Sequence, residues 1–245
     1  MAQHLLFVFL AVIAPAWDFY DTRRLKKNPG SRQKIAYYKT VCAWLWIASG
    51  VAVLTTGFQQ LFTIIAGPAD AAWLFGHAWV RFLVGAVIAL FTALVLLPYV
   101  TVALKKLKNK PRTYRGADAM KSLDYFFPAT WIERRWWVFL CITAGICEET
   151  LYRGFLLRYL HAGPFALNLS IALLISSLIF ALAHVYAGVS GVVGSFLGGF
   201  IFGLLFLLTG NLLLPMILHA LMDLRMLVIL RPPAEDATSI QAAAN

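Results

Sequence analysis

Six ionisable residues stand inside or at the ends of long apolar stretches: Glu148, Glu149, Arg153, His184, His219 and Asp223. A charged side chain at the centre of a spanning segment costs about 2.5–3.5 kcal/mol, so six left unpaired would cost roughly 10 kcal/mol or more. They must meet one another or face a hydrated cavity, and ionisable groups held in this way are candidates for function. In Glu148-Glu149-Thr150-Leu151-Tyr152-Arg153, Glu149 and Arg153 lie one helical turn apart and can pair. Glu148 sits about 100° further round the axis, which leaves it the carboxylate free to act as a general base. A structural salt-bridge knot would use the same residues, so this pair alone does not decide between the two. His184 closes one apolar segment as Phe180-Ala181-Leu182-Ala183-His184, and His219-Ala220-Leu221-Met222-Asp223 lies in another. Asp223, one turn from His219, is placed to accept its ring N–H and fix the tautomer or hold the imidazolium.

Other reactive residue types give weaker signals. Cys42, Cys141 and Cys147 form no CxxC pair, lie in apolar runs and read as buried free thiols. His4, His77 and His161 lack comparable neighbours in sequence and read as surface or interface residues. Arg81, Arg158 and Arg225 fall near segment ends, where they can snorkel.

The elements that must carry these residues follow from composition. Of 245 residues, 61% are apolar and 13% charged, whereas a soluble domain has about 45–50% and about 25%. That excludes a cytosolic enzyme, a disordered chain and a nucleic-acid module, and predicts an all-α, polytopic transmembrane helix bundle. A span needs about 20 apolar residues, and about seven stretches serve, near 4–20, 37–58, 78–104, 136–160, 166–186, 189–209 and 211–230. The first contains Ala14-Pro15-Ala16, which is like a signal-peptidase site, but no Lys or Arg precedes it, so it reads as a span.

The net charge of +10 is concentrated: of 21 Lys and Arg, six fall in Arg23–Lys34 and nine in Lys105–Arg135. Basic stretches between apolar runs read as cytoplasmic loops, not as a nucleic-acid surface. Seven spans with the N-terminus outside put both stretches and the C-terminus in the cytoplasm. Gly194/Gly198 and Gly199/Gly203 form GxxxG pairs that allow close helix packing. The expected organisation is one transmembrane domain, 1–230, with a flexible tail, 231–245. Nothing in the sequence sets an oligomeric state.

The ordered set Glu148-Glu149-x-x-x-Arg153, Phe180-x-x-x-His184 and His219-x-x-x-Asp223 resembles the CPBP family, the CAAX prenyl protease type II and bacteriocin-processing (Abi) membrane proteases. Tyr152-Arg153-Gly154 is similar to the family's aromatic-Arg-Gly continuation. The resemblance covers about 136–230, which it makes the catalytic core. It implies an intramembrane endopeptidase of the bacterial cell (inner) membrane, acting on a membrane-associated substrate, either a prenylated CaaX protein or a leader-type precursor. Its partners would be membrane lipid and a peptide or protein substrate, with no nucleic acid. By resemblance, Glu148 activates water, His184 helps to hold that water, His219 and residue 223 stabilise the oxyanion, and Glu149 and Arg153 shape the site. Many family members carry Asn at the last position; an ionised Asp223 cannot donate, so it would instead keep His219 charged and donating.

Two readings of the chemistry stay open. The preferred one needs no cofactor; the other binds zinc through Glu148, His184, His219 and Asp223, two imidazoles and two carboxylates, although no HExxH is present. A non-catalytic immunity or scaffold protein and a proton-coupled transporter are the alternatives to a protease. One tension concerns depth: His184 lies near the cytoplasmic end of its span, while Glu148 and His219 fall deeper. A cavity open to the cytoplasm reconciles them if the fourth span starts after residue 136.

Overall fold

The seven apolar stretches fold as seven helical rods in the computed structural model, which describes residues 1–63, 71–108 and 123–230. They are α1 (Ala2–Lys27), α2 (Ser31–Thr56), α3 (Ala78–Leu107), α4 (Trp131–Glu149, continued by Thr150–Leu156 and Leu157–His161), α5 (Leu169–Leu182), α6 (Gly188–Thr209) and α7 (Leu213–Ile229). Among the described residues extended pairing is confined to one isolated bridge, Thr63 with Asn211, so the architecture is all-α. The expected tail, 231–245, lies outside the described residues, as do 64–70 and 109–122 of the two longer loops.

α1, α2, α3 and the segment Val185–Thr209 are each long and apolar enough to cross a membrane. α5 is apolar but has only 14 residues, about 21 Å at about 1.5 Å per residue, against a hydrocarbon core of about 30 Å. The outer faces are apolar: Phe82, Leu90 and Leu97 on α3, Ile142 on α4 and Leu178 on α5 are all exposed. Exposed apolar surface on this scale is covered by lipid, and the protein is an integral membrane protein.

α4 is the central helix, packed most extensively against α7 and α2, while α5 packs on α6. Its start is fixed locally. Thr130 Oγ1 accepts the Glu133 N–H at 3.2 Å, and Glu133 Oε2 accepts the Ala129 N–H at 2.7 Å, a variant of the reciprocal capping of a helix N-terminus. The helix therefore begins at Trp131, earlier than residue 136, which corrects the condition attached to the fourth span.

α5 ends at Leu182, four residues before the expected 186. The His184 Nδ1–H donates to the Phe180 carbonyl at 2.9 Å, satisfying a last-turn acceptor by side chain instead of by further helix. A short 3₁₀ turn, Val185–Ala187, follows, and the chain reverses at Gly188 with φ 73°, a conformation that costs glycine nothing. His184 is thus on a turn, lifted into the bundle by the shortness of α5. There it lines the same cavity as Glu148, His219 and Asp223.

Candidate active site

α4 supplies three of the six ionisable residues, and it changes character where they lie. Glu148 and Glu149 end its regular part, and Thr150–Leu156 winds as a π-helix. Wider turns of this kind recur at functional sites, because they re-aim side chains and free backbone groups. Here the Tyr152 carbonyl accepts a hydrogen bond from Ser176 Oγ of α5 at 2.8 Å.

α7 crosses α4 at Gly145. A Cβ there would stand 2.8 Å from the Met216 carbonyl oxygen and 2.9 Å from Ala220 Cβ, so only glycine permits this approach. The crossing puts His219 against both glutamates. Glu149, fully buried, is the junction: its Oε1 accepts from Arg153 Nη1 at 2.8 Å and from His219 Nδ1 at 2.7 Å. The His219 Nε2 edge faces Glu148 Oε2 and Asp223 Oδ2, each 3.7 Å away. Glu148 Oε2 is buried and makes no hydrogen bond among the described residues.

This arrangement keeps the expected Glu149–Arg153 pair and corrects the expectation for Asp223. The ring N–H of His219 is taken by Glu149 across the helix crossing. Asp223, one turn along the same helix, stands beside the opposite ring edge, beyond hydrogen-bond length.

Aromatic rings complete the enclosure. Phe202 of α6 stacks on His219 (centroids 5.2 Å, 16° between planes), and Phe180 meets it edge-on at 5.9 Å. The Arg153 guanidinium lies 4.5 Å from the centroid of Phe180 and 5.6 Å from that of Phe202, so the buried cation gains ring attraction beside its carboxylate. The sequence reading did not single out Gly145 or Phe202. The Gly199/Gly203 pair came closest to a signal, since a Cβ at Gly199 would press on Phe180 and Arg153.

Glu148, His184, His219 and Asp223 all line one cavity of about 340 Å³, whose other walls carry Trp17 and Asp18 of α1 and Tyr37 and Trp44 of α2. With its Nδ1–H given to Phe180, His184 keeps Nε2 as an acceptor. Arg153 and Glu149 stand behind this wall as support.

Among the described residues no group of three or more His, Cys, Asp or Glu is arranged to hold a metal ion. His219 and His184 each use Nδ1 on an oxygen, of Glu149 and of the Phe180 carbonyl, and each keeps its Nε2.

At the rim next to the first basic stretch, Lys34 is buried and donates to the carbonyls of Asp124 (2.8 Å) and Phe127 (2.6 Å), with Glu133 Oε2 3.8 Å away. Burial alone would raise the Glu133 carboxyl, but the Ala129 N–H, the Ser31 side chain and the Lys34 ammonium together hold it below its usual value.

Residues 130–225 match the family model described as Type II CAAX prenyl endopeptidase Rce1-like. The matched segment runs from the start of α4 into α7 and contains all six ionisable residues; α1, α2 and α3 lie outside it. Comparison with curated proteins and with solved structures gives no significant match.

Proposed function

We propose, from the match of residues 130–225 to the Type II CAAX prenyl endopeptidase Rce1-like family model, that this chain is an intramembrane endopeptidase of that kind, cleaving a membrane-associated peptide by water attack. One observation carries the reading. Two adjacent carboxylates differ in what they meet: Glu149 Oε1 accepts from both Arg153 and His219 behind the cavity wall, whereas Glu148 lines the cavity, its buried Oε2 making no hydrogen bond among the described residues and standing 3.7 Å from His219.

In the mechanism, a water in the cavity gives one hydrogen to Glu148 and the other to His184 Nε2, which turns its lone pair towards the scissile carbonyl. Glu148 takes the proton as the C–O bond forms and returns it to the departing amine. His219 carries both ring protons, Nδ1–H fixed on Glu149 and Nε2–H free for the oxyanion, with Asp223 balancing the charge. A preorganised donor of this kind is worth about 3–4 kcal/mol. No step is routed through a metal. The positive-inside rule supports an outside N-terminus, with the C-terminus and the Asp18–Glu133 rim cytoplasmic, and the substrate in this reading is a membrane-associated protein, prenylated or leader-type.

The test is proteomics of membrane C-termini and released peptides, wild type against Glu148→Gln. Peptides that vanish in the variant support the reading. Cleavage surviving in Glu148→Gln removes the base. Proton flux in liposomes without any cleavage would replace the protease with a transporter. Activity abolished by a chelator and restored by zinc would overturn the metal-free route.

A further inference from the structure

The cavity extends well beyond the reacting groups, onto helices outside the family-matched segment. Its far wall is acidic. Among the described residues, the carboxylates lining it are Asp18, Asp21, Glu148 and Asp223, opposed by the Arg225 guanidinium and, at the reacting end beside Glu148 and Asp223, by His219. The whole chain, by contrast, carries a formal charge of +10. A low-dielectric cleft lined mainly by one sign of charge focuses its field and concentrates ions of the opposite sign.

Asp18 is built into this wall. The Tyr37 hydroxyl of α2 donates to its Oδ1 at 2.5 Å, while Oδ2 is buried without a hydrogen-bond partner. Asp21 follows nearly one turn later on the same face of α1. Beside them, Trp17 and Trp44 meet edge to face at 5.3 Å; both are exposed on the outside of the bundle and both line the cavity, an apolar edge to it.

We propose that Asp18 and Asp21 form a cation-recognition subsite that selects substrates carrying a Lys or Arg side chain near the scissile bond, with Tyr37 as the residue positioning Asp18. The inference rests on the endopeptidase reading and names its substrate class: a membrane-anchored peptide whose apolar part enters past Trp17 and Trp44 and whose cation lodges at Asp18. Cytoplasmic flanks of membrane segments are enriched in just such residues. The subsite commits to charge; the nature of the anchor is left to the apolar edge.

The test uses the full chain in phosphatidylcholine nanodiscs, which carry no net charge of their own. Two palmitoylated fluorescent peptides, identical but for one Lys or Gln, are titrated against Glu148→Gln protein and followed by anisotropy. The Lys peptide is expected to bind about tenfold more tightly, the scale of one ordered charge pair. In Asp18→Asn/Asp21→Asn the Lys-to-Gln ratio falls to about one, and Asp18→Glu restores a preference, which a merely unfolded variant could not do. Equal binding of the two peptides to the parent protein, or an unchanged ratio in the double variant, overturns the subsite. Preference for Lys without cleavage by the Glu148 protein would leave the subsite standing and remove the endopeptidase reading instead.

Discussion

Glu149 does at residue scale what a metal or a bound water does in other sites: it holds two partners at once. Its Oε1 accepts from Arg153 and from His219, so one carboxylate fixes the ring's orientation and neutralises a guanidinium that is itself only 3% exposed. Removing one member of a buried, hydrogen-bonded charge pair leaves the other uncompensated, typically at about 3–5 kcal/mol. Glu149→Gln should therefore unfold in detergent at a markedly lower temperature than wild type. Glu148→Gln, whose carboxylate balances no buried cation at hydrogen-bond range, should keep its unfolding temperature while turnover falls by roughly 10²–10⁴. Equal stability of the two variants would show that the neighbours share one structural role. The sequence already separated these residues, because the i, i+4 spacing to Arg153 belongs to Glu149 alone. It did not reveal that His219 reaches the same oxygen from a helix seventy residues away; that depends on the crossing, not on local spacing.

The crossing belongs to the elements, and it hangs on a position with no chemistry. Gly145 lets α4 and α7 touch backbone to backbone, with the Met216 carbonyl and Ala220 filling the space of an absent side chain. Gly145→Val should force the helices apart, cost about 1–3 kcal/mol by overpacking and abolish peptide cleavage, although every ionisable residue remains. Intact activity in a folded variant would mean that the His219–Glu149 contact is not needed. Helix ends were less legible than helix centres. The apolar pattern continues through Ala183-His184-Val185, so the early stop of α5 was hidden, because it is set by the His184 ring bonding to Phe180 and by Gly188 at positive φ. The start of α4 is also a local polar device, with a pH signature. Glu133 is held below its usual carboxylate value in the folded chain, so its contribution is fully present above its unfolded value and is lost as pH falls through the folded one. Unfolding of the solubilised protein should therefore ease as pH drops through and below the usual carboxylate range, and the slope should flatten in Glu133→Gln. An identical slope would place the acid sensitivity elsewhere.

At the scale of the whole molecule, the bundle is a holder for the cavity lined by Glu148, His184, His219 and Asp223. The apolar runs made the bundle legible, since they reflect solvation by lipid and require no tertiary contact. The cavity was not legible, because its walls come from α1 and α2 as well as from the motif-bearing helices, and those two matched only as generic spans. Neighbouring glycines on α6 expose the difference between packing and emptiness. A Cβ at Gly199 would meet Phe180 Cδ1 at 3.0 Å and Arg153 Nη2 at 3.1 Å, whereas one at Gly198 meets nothing within 4 Å and Gly198 lines the cavity. The two halves of the GxxxG pattern therefore serve opposite ends: Gly199 and Gly203 seat α6 against α5, and Gly198 keeps space open. Substituting Phe at Gly198 should fill part of the 340 Å³ without displacing the Glu149 network, so the unfolding temperature holds or rises while cleavage falls by tenfold or more, about 1.4 kcal/mol or above. Alanine at Gly199 should do the reverse first, lowering stability through Phe180 and Arg153. Undiminished cleavage in a folded Gly198→Phe protein would mean that substrate reaches Glu148 by a route other than this cavity.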